Sequence, residues 1–259
     1  MYQMAKIPVG VQLYSIRDDC ARDLPAAIAA VAKMGYAGVE FAGYYNHSAR
    51  ELRKMLDDNG LKCCGTHIGL NTLLEDALPA TVEFNLELGN PYLIVPWLPA
   101  ERRASRAAWL ETAGLFDEIS ARLGGHGLRT GYHNHTEEFQ LLEGEVGFET
   151  GFDLFFGYTR REVIMQFDIG NAIHGGADPL ACIKRYPGRG ATIHLKEYSA
   201  KDDLALLGEG DVPWTQVFEL SETVSGVEWY IVEQESYRVP PLEAVALCLN
   251  ALRKMGKVV

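Results

Sequence analysis

Eight short apolar runs recur along the chain, and each is followed by a longer amphipathic stretch. The runs read "PVGVQLYS", "AGVEFAG", "LKCCGTHIG", "PYLIVPW", "GLRTGYHNH", "EVIMQFDIG", "ATIHLKEYS" and "EWYIVEQES". Helical patterns such as "DLPAAIAAVAKMG", "SARELRKMLDDNG" and "PPLEAVALCLNALRKMG" separate them, several ending in the glycine that suits a helix C-cap. Near-continuous apolar strands alternating with helices predict a parallel sheet covered by helices. Eight such units in 259 residues predict one closed (β/α)8 TIM barrel domain over 1–259, since that fold usually takes ~250 residues. An open doubly wound sheet is the alternative. A nucleotide-binding version of it would carry a glycine fingerprint after its first strand, where this chain reads "QLYSIRDDC".

Charge narrows the function. A net charge of -11 argues against a broad nucleic-acid surface, which needs a basic stripe to neutralise phosphates. The start "MYQMAKIPVG" lacks the apolar core of a signal peptide, and no apolar run reaches membrane-spanning length. Cys20, Cys63, Cys64, Cys182 and Cys248 form no CxxC pair and are odd in number, which fits buried free thiols in a reducing compartment. The expectation is a soluble cytoplasmic protein with a small-molecule partner and no nucleic-acid or membrane partner. A homo-oligomer remains open.

Polar residues stand near the C-terminal ends of nearly all the runs: Gln12 and Tyr14, Glu40, His67, His133 and His135, Asp168, His194 and Lys196, Glu233. Barrel enzymes build their active sites at that rim. Side chains alternate across a strand, so His133 and His135 share one face while Asn134 takes the other, and His194 shares a face with Lys196. Any one of these residues alone reads as an ordinary structural hydrogen-bonding group, and Glu138 alone as a solvated loop carboxylate. Their convergence changes the reading. Confining Glu138, Asp168 and Glu233 without a cation would be costly, because like charges resist joint ionisation. A divalent ion with His194 as nitrogen donor relieves this, and mixed oxygen and nitrogen ligation suits Mn2+, Co2+, Mg2+ or Zn2+.

The segments "VGVQLYS", "GYHNHTEEF", "FDIGNA", "IHLKEY", "LGEGDVPW" and "VEQES" resemble the xylose isomerase-like barrel proteins, often labelled sugar phosphate isomerase/epimerase. That resemblance implies one metal ion held by a carboxylate after strand five, an aspartate after strand six, a histidine on strand seven and a glutamate on strand eight. On this chain these are Glu138, Asp168, His194 and Glu233, and the preference for Glu138 over Glu137 comes from the resemblance. The ketose 3-epimerase branch carries a Glu-x-x-Asn-Arg motif on strand five where this chain has "HNHTEE". The resemblance therefore points toward inosose dehydratases and keto-glycoside-processing enzymes of the same superfamily. The "HNH" tripeptide does not indicate an HNH nuclease, which is a small basic module. Apurinic-site endonucleases share the superfamily but need a multi-zinc cluster and a positive DNA-facing surface.

The expected activity is a metal-dependent sugar isomerase or epimerase, acting on a keto sugar or polyol-derived ketone by proton abstraction through an enediolate. The alternatives are a dehydratase or lyase of keto-inositol or 3-keto-glycoside type, which begins with the same proton abstraction, and a non-catalytic sugar-binding subunit. Glu138 and Glu233 are the expected acid–base pair on opposite sides of the sugar. His135 is a further base, and Lys196 a donor to the substrate oxyanion. For Lys196 the alternative is a salt bridge to a neighbouring carboxylate. Tyr14, His67, His133 and His174 are the expected substrate contacts, with Trp97 and Tyr198 as walls. Arg102, Arg103 and Arg106 read as a solvated face.

Overall fold

The interior of the protein is lined by eight parallel strands in the order β1 to β8, with β1 paired back to β8 so that no sheet edge remains. They are β1 (Val9–Gln12), β2 (Gly38–Ala42), β3 (Lys62–His67), β4 (Tyr92–Val95), β5 (Arg129–His133), β6 (Ile164–Asp168), β7 (Thr192–Leu195) and β8 (Trp229–Val232). The structure is a computed structural model describing residues 6–142 and 149–258. Helices α1 (Arg17–Arg22), α2 (Leu24–Met34), α3 (Ala49–Asp58), α4 (Leu78–Leu88), α5 (Arg106–Gly124), α6 (Gly151–Tyr158), α7 (Ile169–His174), α8 (Pro179–Arg185), α9 (Trp214–Leu220) and α10 (Pro241–Lys254) cover the outside. The closed parallel barrel expected from the sequence is the fold observed.

Local chemistry sets the helix starts. Ser48 and Glu51 form a reciprocal capping box on α3, and Asp23 and Ser105 cap α2 and α5 with side-chain oxygens. Among the glycines expected as C-caps, Gly35 and Gly89 stand in the left-handed conformation after α2 and α4. The five cysteines are free thiols, four of them buried. No helix among the described residues is long and apolar enough to cross a membrane.

Alternation along the strands divides the core in two. Val11, Val39, Phe41, Leu93, Tyr132, Met165, Phe167, Ile193 and Val232 belong to the large apolar cluster shared with the helices. The opposite faces point into the barrel, where Tyr92, Ile94, Ile164 and Ala191, packed by Trp229, form a small separate apolar cluster. Further along β6 and β7 the interior turns polar, with Gln166 and Asp168 after Ile164 and with Thr192 and His194. All four are fully buried. The barrel is therefore apolar toward the strand starts and progressively more polar toward the strand ends, where the site lies.

Gly131 fixes how closely β5 and β6 approach. It pairs with Ile164, and a Cβ there would meet the Ile164 carbonyl oxygen at 2.4 Å and its Cβ at 2.6 Å. Backbone cannot give way as a flexible side chain can. Gly131→Ala is expected to lose about 1–3 kcal/mol of stability, the usual range for overpacking a filled interior. Urea denaturation measures this, and an unchanged midpoint would show that the two strands can separate freely.

Candidate active site

Each of β5 to β8 brings one side chain inward at or just past its end. His133, Asp168, His194 and Glu233 are all buried, and each offers a ligand atom within 4.8 Å of the others. His67 on β3 joins His133 and His194 in a second, overlapping group. Two residues beyond each member of the four lies a residue of the cavity wall: His135, Gly170, Lys196 and Glu235. For His135, Lys196 and Glu235 the strand period of two carries on past the first set and turns them toward the cavity, nearer the mouth, while Gly170 lies at the start of α7. The cavity holds about 490 Å3 and is also lined by His174 and Tyr198.

His194 is the centre of the buried set. Its Nδ1–H donates to Glu233 Oε2 at 2.5 Å, and its Nε2–H donates to Glu40 Oε2 at 2.6 Å. Burial disfavours a charged ring, but Glu40 and Glu233 outweigh it and raise His194 to about 10. Burial likewise opposes ionisation of Glu233, yet His194, His133 and Lys196 hold its carboxyl well below the usual range. His133 has no comparable carboxylate contact. Its Nε2 lies 3.9 Å from Glu233, and burial together with the neighbouring His194 pushes its proton affinity far down.

Asp168 is held by the backbone on one side only. Oδ1 accepts the Asn171 N–H at 2.7 Å, capping α7. Asn134, on the other face of the β5 end, accepts the Asp168 N–H and donates to the Asp168 carbonyl, tying the ends of β5 and β6 together. Asp168 Oδ2 and His133 Nδ1 are buried with no hydrogen-bond partner. Buried polar atoms are rarely left this way. Burial raises the Asp168 carboxyl to about 7, against the pull of Lys196, and Glu233 adds to the rise. Two unpartnered buried polar atoms in a group of two carboxylates and two imidazoles fit a divalent cation of the Mn2+, Co2+ or Zn2+ type.

The expected residues divide between the cluster, the cavity and the outside. Asp168, His194 and Glu233 come together. Glu138 does not join them. It sits in the short turn Glu137–Phe139, where its buried carboxylate accepts the Tyr132 hydroxyl at 2.6 Å and the His135 N–H at 2.7 Å. Tyr132 points outward from β5 into the aromatic packing of Trp109, Phe116 and Phe155, so Glu138 is drawn to the helix side of the strand. His133, expected against substrate, takes the place in the cluster assigned to Glu138. His67 also lies in the polar interior, with Nε2 2.6 Å from Gln166 Oε1 and its ring stacked on His194.

His135, His174 and Lys196 line the cavity. Lys196 is also ion-paired to Glu235, so the salt bridge and a place on the wall coexist. Burial would lower its affinity for a proton, but Asp168, Glu233 and Glu235 more than offset this and keep it charged. Tyr14 is not a wall residue. It is 44% exposed beneath the Arg17 guanidinium. Trp97 is likewise exposed, under Arg103. Arg102 and Arg106 form ion pairs with Glu111 and Glu149 near the surface.

Glu40, Gln12, Gln166 and Glu235 belong to the site without having been assigned a role from sequence. The usable signal was a lone polar residue inside an apolar run, two positions from another: Gln166 before Asp168 in "VIMQFD", and Glu235 after Glu233 in "VEQES".

A family model described as a xylose isomerase-like TIM barrel matches residues 28–255. The rhizopine catabolism protein MocC of Rhizobium meliloti is 24% identical over 225 residues, which is 78% of this chain and 66% of MocC, just under two thirds of that protein. The inosose dehydratase of Clostridium beijerinckii is 20% identical over 247 residues, 81% of each protein. Among solved structures, a sugar phosphate isomerase/epimerase from Parabacteroides distasonis superposes with a TM-score of 0.84 at 23% identity, over 100% of this chain and 98% of that one. A likeness at that identity establishes the fold.

Divalent-ion uptake should separate the residues of the cluster from Glu138. Asp168→Asn and Glu233→Gln are expected to weaken Mn2+ or Co2+ binding by at least about 10-fold, while Glu138→Gln retains it. A bound ion needs Asp168 ionised and the Nδ1 proton of His194 released, so affinity should rise with pH. Calorimetric titration checks both, and equal losses in all three variants would return Glu138 to the ligand set.

Proposed function

The chain belongs to the xylose isomerase-like TIM barrel family, and from that membership and its rim chemistry we propose a metal-dependent enzyme that abstracts a proton beside the carbonyl of an unphosphorylated keto sugar or polyol-derived ketone. The observation that carries the reading is the buried group of His133, Asp168, His194 and Glu233, with two unpartnered polar atoms, beneath a polar cavity. These four residues would hold the ion, which when bound supplies Lewis-acid stabilisation of charge developing on substrate oxygens.

The remaining steps fall to side chains of the wall. His135 stands next to His133, with ring centroids 4.9 Å apart, and its imidazole can accept the substrate proton. The Glu138 carboxylate holds the His135 backbone N–H and so fixes where that ring begins. Lys196 presents an ammonium group that can hydrogen-bond the substrate carbonyl as it becomes an oxyanion. Glu235 holds that ammonium in place and can carry a proton to or from a substrate hydroxyl. Return of the proton to the opposite face gives epimerisation, return to the adjacent carbon gives isomerisation, and loss of a β-hydroxyl gives elimination. Similarity to an inosose dehydratase supports elimination from a keto-cyclitol as the second reading.

The electrostatics of the wall favour a substrate without phosphate. Glu137, Asp202, Asp203 and Glu235 line the cavity, and Lys196 is already ion-paired. Arg238, a candidate phosphate ligand in the loop after β8, is engaged by Glu209 and Asp202. An added dianion would meet these carboxylates, and the one Lys or Arg among the lining residues, Lys196, is already paired.

With Mn2+ present, turnover of a keto sugar or keto-inositol in deuterated water is expected to place deuterium on the carbon beside the carbonyl. A requirement for nicotinamide cofactor would contradict the mechanism. Lys196→Met should keep metal affinity and lose about 100-fold in turnover, the scale of a lost oxyanion donor. A strong kinetic preference for the phosphate ester of the same ketose would contradict the assigned substrate class.

A further inference from the structure

Beneath the proposed ligands lies a further buried carboxylate, and the barrel interior is built around it. Glu40 on β2 is fully buried and does not line the cavity described above. Its Oε1 accepts Gln166 Nε2–H at 2.7 Å, and its Oε2 accepts Gln12 Nε2–H at 2.7 Å. Both amides are themselves fixed: Gln12 Oε1 accepts the Tyr14 N–H, and Gln166 Nε2 also reaches Thr192 Oγ1. Space is cleared as well. Gly65 on β3 adopts φ +152°, and a Cβ there would meet Glu40 Oε1 at 2.4 Å. The register between β2 and β3 shifts at Val39/Glu40, beside that glycine.

Burying a carboxylate so completely costs several kcal/mol unless its partners compensate, and an apolar residue would fill the barrel more simply. The partner that distinguishes this site is His194, whose Nε2 lies 2.6 Å from Glu40 Oε2. We infer that Glu40 is a positioning residue for the metal ligand His194: it holds the proton on Nε2, fixes the ring plane, and leaves Nδ1, the nitrogen facing Glu233, to bind the ion. Carboxylates that orient ligand imidazoles in this way also raise the basicity of the bound nitrogen. The assignment rests on the metal reading of the cluster. It adds a determinant of affinity that does not line the cavity.

The test uses the full chain, labelled with 15N-histidine and loaded with Zn2+ alone. Long-range 1H–15N spectra are expected to show His194 with a Zn2+-shifted Nδ1 and a slowly exchanging proton on Nε2. Glu40→Gln should speed exchange of that proton and weaken Zn2+ binding by about 10- to 100-fold. Its new amide would face the Gln12 and Gln166 donors, so circular dichroism of the metal-free variant checks folding. Gln12→Met, which touches none of the four ligands, gives a second reading and should weaken Zn2+ binding in the same direction by less. Zn2+ bound through Nε2, or folded Glu40 and Gln12 variants with wild-type affinity and exchange, would overturn the Glu40 assignment while leaving the metal site intact. A wild-type chain that takes up no Zn2+, or an affinity indifferent to Asp168→Asn, would overturn the metal reading and this inference with it.

Discussion

An imidazole clamped between two buried carboxylates governs the interior of this barrel. Glu40, His194 and Glu233 come from β2, β7 and β8, and their short contacts span the barrel interior. In so weakly polar a setting, none of the three can be removed without leaving a charge uncompensated. Asp168 adds a third carboxylate next to the same ring. Much of the polar architecture compensates this charge: Gln12 and Gln166 on Glu40, the α7 N-terminus on Asp168, and Lys196 toward the mouth. Only a closed sheet can gather groups from so many strands while leaving no backbone edge exposed.

Depth along the barrel separates the tasks. The apolar group around Ile94 and Ile164 fills the end near the strand starts, and the Glu40 network lies above it. The ligand-bearing cluster comes next, and His135, Lys196 and Glu235 border the cavity. Because each step up a strand is two residues, chemistry on the wall can vary without moving the ligands beneath.

The fold was legible because parallel barrel strands are buried on both faces and therefore read as apolar runs. Asp168, His194 and Glu233 were legible because each interrupts or ends such a run. Glu138 was misplaced for a local reason: the turn after β5 folds its carboxylate back onto the Tyr132 hydroxyl, and the outward direction of Tyr132 decides where that is. His133 was read as a substrate contact although its inward position at the strand end puts it below the cavity wall. Glu40 and Gln12 were visible as polar residues in apolar runs, but their partners lie on strands distant in sequence. Barrel closure brings Glu40 against His194 and Gln166, and no spacing along the chain encodes that contact.

The direct test of the site is anomalous diffraction from crystals of the full chain soaked in Mn2+. The arrangement described here predicts one strong peak coordinated by His133, Asp168, His194 and Glu233, with Glu138 still bonded to Tyr132. A peak held by Glu138 in place of His133, or no peak among these side chains, would contradict it.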